Sequence, residues 1–265
     1  MQESSALGRI VELVRDLRKR CPWDAAQTPE TLRPYLVEEA LELDHALSLA
    51  DPDQIRTELG DLLLHVAFQI VLAEEDGRFG AEDLTRGVEQ KMWRRHPHLF
   101  PEKLDGETER APLDADTWER TKLEEHGELR PSVLDGLPPT LHALLMAYRL
   151  QERAAGVGFD WPDAEGPREK VREELRELER EIEQGATPEE IAGEIGDLLF
   201  AVVNLARKLG SDPRAALERA NAKFAERFRA IERLAAERGL DMARASLEEL
   251  DALWDEVKAG GDAQG

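Results

Sequence analysis

Two short acidic blocks carry the densest chemistry in the chain: Glu173-Glu174-x-x-Glu177 and, further on, Glu194-Ile195-Gly196-Asp197. Residues three apart share a helix face, so Glu174 and Glu177 project together, as do Glu194 and Asp197. Both pairs are symmetric about Gly185-Ala186, just before Thr187-Pro188, which reads as a helix start. An antiparallel hairpin turning there sets the four carboxylates level, as two facing pairs. Such a cluster repels itself and calls for cations or protonation. An all-oxygen donor set suits Mg²⁺ or Mn²⁺ better than zinc. Lys223 and Arg227, four apart on a later helix, could neutralise phosphate oxygens held by the same cation. The sequence contains no glycine-rich phosphate loop, so phosphate binding falls to a metal ion plus side chains.

The same order occurs about 135 residues earlier, which a tandem duplication explains. Its members are Glu38-Glu39-x-x-Glu42, then Glu58-Leu59-Gly60-Asp61, then Lys91 and Arg95. The first copy therefore offers a weaker metal site from Glu39, Glu42, Glu58 and Asp61. It departs from the second at Glu89, which stands two residues before its lysine where the second copy has Asn221. A negative charge there opposes a triphosphate.

These blocks must ride on helices. Apolar residues recur with helical period near 6–20, 30–49, 53–75, 81–95, 138–155, 167–184, 188–209, 213–238 and 247–258, with no competing strand pattern. From His96 to Pro139 the chain is broken by six prolines and three glycines, a connector with room for one short helix around Trp118 to Glu125. The expected architecture is all-α: two tandem helical bundle domains at residues 1–125 and 140–265, joined by a Pro/Gly-rich connector at 126–139. Leu175, Leu178, Ile195, Leu198, Leu199 and Phe200 flank the acids and suggest that the acidic face borders the core.

Composition excludes several classes. With 35 Lys+Arg against 57 Asp+Glu, the net charge is −22, which repels nucleic acid unless cations intervene. Cys21 is the only cysteine, so no intrachain disulfide or Cys-rich zinc site can form, and a reducing cytoplasm fits. Gly8 to Arg20 alternates apolar residues with charges, unlike a signal peptide. The longest apolar run, Leu198 to Val203, is far short of a membrane span. Two rival readings stay open at this point. A di-iron carboxylate bundle would use Glu42-x-x-His45 as a ligand pair, although all six histidines lie at or before His142, away from the second acidic site. A non-enzymatic helical module would use the acids only to bind partners.

At these residues the chain resembles the MazG family of nucleoside triphosphate pyrophosphohydrolases. Besides the acidic blocks, the marks are Cys21-Pro22-Trp23-Asp24, Arg94-Arg95-His96-Pro97-His98, Trp118-Glu119, Val157-Gly158-Phe159-Asp160-Trp161 and Asn221-x-Lys223-Phe224-x-x-Arg227-Phe228. The resemblance implies a Mg²⁺-dependent, homodimeric hydrolase that cuts nucleoside triphosphates between the α and β phosphates. By similarity Glu174, Glu177, Glu194 and Asp197 are metal ligands, and Lys223 and Arg227 are phosphate contacts with a share in catalysis. The resemblance also implies that Lys122, Lys170, Asn221 and Trp254 line the nucleotide site, while Glu173, an acidic neighbour of the ligand set, is expected to orient or deprotonate the attacking water. Trp254 either stacks on a base or caps the last helix, and Phe159 and Trp161 read as core anchors. Activity is expected in the second copy, with the first retained for fold and dimerisation.

Overall fold

The computed structural model describes residues 5–96, 98–103 and 132–262. The chain forms two compact units, residues 1–113 and 114–265, and the described elements are helical with no strand among them.

The first unit contains α1 (Gly8–Arg20), α2 (Pro22–Ala25), α3 (Pro29–Leu49), α4 (Pro52–Glu75) and α5 (Ala81–Arg95). Helix starts follow from local chemistry. Thr28 caps α3 through a reciprocal bond with Thr31, and Asp51 accepts from the backbone N–H groups of Asp53 and Gln54 to open α4. Proline takes the first turn of both helices, where a missing N–H costs nothing. Val14, Leu32, Ala67, Phe68, Val71 and Leu72 close a core between α1, α3 and α4. Arg15 and Arg18 tie α1 to the end of α4 through forked contacts with Glu74 and Glu75.

The second unit contains α6 (Ala143–Gly156), α7 (Glu165–Gln184), α8 (Pro188–Lys208), α9 (Pro213–Glu237) and α10 (Leu247–Asp262). The α7–α8 hairpin turns where the carboxylate symmetry puts it. Gly185 closes α7 at φ 70°, a left-handed conformation that glycine adopts without strain. Thr187 and Glu190 then form a capping box that opens α8. Ile231, Ala235 and Leu253 make a second core between α9 and α10, with Trp254 packed against it.

Three sequence expectations change. The four-residue α2 is too short to carry a periodic signal and stands outside the expected helices. The helix expected from 138 begins at Ala143, because Pro138 and Pro139 form a turn ahead of it. The apolar residues flanking the acids are largely exposed, Leu175 at 44%, Ile195 at 43% and Leu199 at 54%, whereas Glu174 itself is buried. Helix α8 buries Ala201, Val203 and Asn204, and Ala201 and Asn204 lie four and seven residues beyond Asp197 on its own face. The short helix expected around Trp118 lies outside the described residues.

Candidate metal and nucleotide site

Helix α7 supplies Glu173, Glu174 and Glu177, and α8 supplies Glu194 and Asp197. Carboxylate oxygens of Glu174, Glu194 and Asp197 lie within 4.8 Å of one another, and those of Glu173, Glu174 and Glu177 do likewise. Glu174 belongs to both groups and is only 5% exposed. Partial burial, then the charges of Glu177, Asp197, Glu174 and Glu181, hold the Glu194 carboxyl above its ordinary value. A set of anionic oxygens this close, none of them nitrogen or sulfur, is chemically fit for a hard divalent cation. Lys170 already places a positive charge there, its Nζ 2.6 Å from Glu174 and 2.9 Å from Glu173. Those two hydrogen bonds hold the Lys170 ammonium well above the usual lysine range. Glu177 accepts from Arg180 at 3.2 Å.

Beside the acids lies a cavity of about 550 Å³, lined in part by Lys170, Glu174 and Asp197. Its other polar walls are Gln151 from α6, Asp160 from the α6–α7 loop, and Asn204 and Arg207 from α8. Sequence reasoning assigned none of these four a role. Asn204 lies seven residues after Asp197 on α8, two turns along the same face. Phe159 and Trp161 are not core anchors: they are 81% and 40% exposed and line the cavity. They sit on the irregular segment between α6 and α7, which no core element covers.

Asp160 fixes that segment. Its carboxylate accepts from Arg207 Nη2 at 2.5 Å, Arg207 Nη1 at 3.1 Å and Lys208 Nζ at 3.2 Å, and Lys208 also donates to the Trp161 carbonyl at 2.6 Å. Burial would raise this carboxyl, but the bonds and charges of Arg207 and Lys208 outweigh it and hold it below the usual aspartate range. Asp160→Asn is therefore expected to cost about 2 kcal/mol of stability at pH 7. A depressed carboxyl stabilises above its unfolded pKa, so the deficit should shrink below about pH 3.9 and vanish once the lower folded value is passed. Urea unfolding of both proteins across that range checks this, and equal midpoints at pH 7 would refute it.

The remaining expected residues lie elsewhere in the same unit. Lys223 and Asn221 are exposed on α9, and the Arg227 guanidinium sits 6.0 Å over the Trp254 ring, which also meets Phe224 at 5.5 Å. None of Asn221, Lys223, Arg227 and Trp254 lines the cavity. Lys122 lies outside the described residues.

In the first unit Glu39, Glu58 and Asp61 bring oxygens within 4.8 Å of one another. Burial, followed by the charges of Asp61, Glu42, Glu58 and Glu38, raises the Glu39 carboxyl. Glu42 and His45 instead face an open groove shared with Glu38 and Glu58. When the two Glu-x-Gly-Asp blocks are aligned, Ala201, Asn204 and Arg207 correspond to His65, Phe68 and Val71. Phe68 and Val71 are buried core residues, 4% and 2% exposed. Core side chains thus occupy in the first unit the positions that line the cavity in the second.

The description "MazG nucleotide pyrophosphohydrolase domain" belongs to a family profile that matches residues 27–100 and 165–231, one segment in each unit. The nucleoside triphosphate pyrophosphohydrolase of Escherichia coli (strain K12) is 41% identical, over 97% of this chain and 98% of its own. The Thermotoga maritima protein named nucleoside triphosphate pyrophosphohydrolase/pyrophosphatase MazG is 40% identical, over 98% of this chain and 99% of its own. A Mycobacterium tuberculosis nucleoside triphosphate pyrophosphohydrolase is 34% identical, over 59% of this chain and 47% of its own. Repeated acidic hairpins, the helical units that carry them and near full-length likeness agree, and the chain belongs to the MazG family of nucleotide pyrophosphohydrolases.

Proposed function

We propose that the protein is a nucleoside triphosphate pyrophosphohydrolase that cuts NTPs and dNTPs between the α and β phosphates, releasing a nucleoside monophosphate and pyrophosphate. The observation that carries this reading is the oxygen triad of Glu174, Glu194 and Asp197 opening on a cavity large enough for a nucleotide base. Mg²⁺ is the proposed ion, with Mn²⁺ a substitute, held by those three and Glu177. When bound it withdraws charge from phosphate oxygens and makes nearby water more acidic.

The chain's own residues supply the rest. Glu173 is exposed at the edge of the cluster, where it can orient a water and accept its proton. Attack by that water's oxygen at the α phosphorus breaks the bond to the bridging oxygen, and pyrophosphate leaves with the electron pair. Lys223 and Arg227 offset the charge on the leaving group, and Lys170 contacts the phosphate chain. Lys122 and Asn221 are further phosphate contacts, and Trp254 borders the nucleotide.

Residues 1–125 and 140–265 are proposed as the two domains, with catalysis in the second and at most weak metal binding in the first. A homodimer fits the exposed Leu175, Ile195 and Leu199 on the α7–α8 hairpin, apolar side chains of the kind that a second copy covers. Net charge −22 argues against nucleic acid as a partner, and the single cysteine favours the cytoplasm. Among the described residues no helix is long and apolar enough to cross a membrane.

Hydrolysis in ¹⁸O-labelled water tests the reaction. The label should appear in the nucleoside monophosphate and not in pyrophosphate. Label in pyrophosphate would mean attack at the β phosphorus, and orthophosphate plus a nucleoside diphosphate would overturn the assignment.

A further inference from the structure

Among the described residues lining the cavity beside the acids, one buried side-chain atom has no partner. Gln151 is 7% exposed, its Nε2 donates to the Phe200 carbonyl at 2.8 Å, and its Oε1 is buried and accepts nothing. Leaving a buried acceptor unpaired is costly, and native structures keep few of them without a reason. The amide's direction is set, because the donor end is committed to Phe200 and only the acceptor end remains. Gln151 is part of the cavity lining, so a ligand seated there can supply the missing donor.

The surroundings are those of a planar, partly apolar group. Trp161 and Phe159 supply aromatic surface along the wall. Trp161 is seated by the absence of a side chain at Gly166: a Cβ there would lie 2.0 Å from the indole. Opposite in chemistry to Gln151 is Asn204, also 7% exposed, whose Oδ1 accepts from Arg207 Nε and Nη2 at 3.0 and 2.9 Å. With that oxygen taken, its NH₂ is the end available to a ligand. The cavity therefore pairs one fixed acceptor with one fixed donor, flanked by aromatic rings and contiguous with Glu174 and Asp197.

We propose that this cavity is the nucleobase pocket and that Gln151 Oε1 reads the base by accepting from the exocyclic amino group of adenine or cytosine. This rests on the triphosphate reading above and adds the residue that recognises the base. A pocket built to pair a polar group disfavours an analogue lacking it, because the site's own buried group is then left unpaired. Apolar filling of the aligned positions by Phe68 and Val71 denies the first unit the same function.

The test pairs substrates that differ only in the N–H. ATP is compared with purine riboside triphosphate, which lacks the 6-amino group, and CTP with the 2-pyrimidinone riboside triphosphate, which lacks the 4-amino group. The full-length wild type should favour the amino-bearing member of at least one pair by about tenfold in kcat/KM. Gln151→Met, of similar volume but with no acceptor, should lose that preference by slowing the amino-bearing substrate while leaving its analogue within about twofold. Equal turnover within both pairs by the wild type overturns the proposal without any variant. So does a Gln151→Met enzyme that is folded but keeps the preference, or that slows both members equally. If the wild type releases no pyrophosphate from any triphosphate, the underlying reading of the reaction is at fault instead.

Discussion

Glu194→Gln or Asp197→Asn is expected to reduce pyrophosphate release by at least about a thousandfold, whereas Glu58→Gln changes it by no more than about threefold. Each of the first two changes removes an anionic oxygen from a triad whose members lie within 4.8 Å of one another, leaving too few ligands to hold a hard cation that prefers carboxylates. The fold should survive. Glu194 is repelled by Glu177, Asp197, Glu174 and Glu181, so neutralising it relieves repulsion in the cation-free protein. Thermal unfolding therefore separates the causes: the variants should unfold no earlier than wild type without metal but lose the stabilisation that Mn²⁺ gives the wild type. Glu58 sits in the other unit's triad, where aligned cavity positions are filled by core side chains. Equal loss of activity from Glu58→Gln and Glu194→Gln would sink the assignment of catalysis to the second unit.

Lys223→Ala and Arg227→Ala should each lower turnover about a hundredfold, and by the same factor for purine and pyrimidine triphosphates. The pair stands one turn apart on α9 and outside the cavity that Gln151 lines, so its charges meet what all triphosphates share. The effect should fall on kcat more than on KM, because the leaving pyrophosphate gains charge only as the bond breaks. Arg227 also lies over Trp254, so Arg227→Lys is the informative companion: it keeps the positive charge but loses the planar fork and should recover part of the rate. A loss confined to one base would refute the phosphate role and assign the pair to base recognition, the reverse of the pattern expected for Gln151.

Local rules made much of this protein legible. A helical period of 3.6 puts Glu174 with Glu177 and Glu194 with Asp197, and proline, glycine and Thr187 mark where one helix stops and the next begins. Those interactions lie within a few residues, so the chain encodes them directly, and the symmetry about Gly185 carried the facing of Glu174 with Glu194 and Asp197. The duplication was equally plain, because it rests on residue types alone.

What tertiary structure alone decided is which faces are covered and which polar atoms lack partners. Periodicity marks Leu175, Ile195 and Leu199 as apolar but not as exposed, because burial depends on elements far away in sequence. Phe159 and Trp161 read as anchors from composition, and only the packing of Trp161 over Gly166 makes them a cavity wall. Gln151 and Asn204 are uncharged, so no charge pattern flags them. Their roles appear once α6 and α8 meet, with the Phe200 carbonyl claiming one end of Gln151 and Arg207 one end of Asn204. The same nonlocal packing decides that the aligned positions form a cavity in the second unit and a core in the first, where Phe68 and Val71 bury apolar surface against α1 and α3.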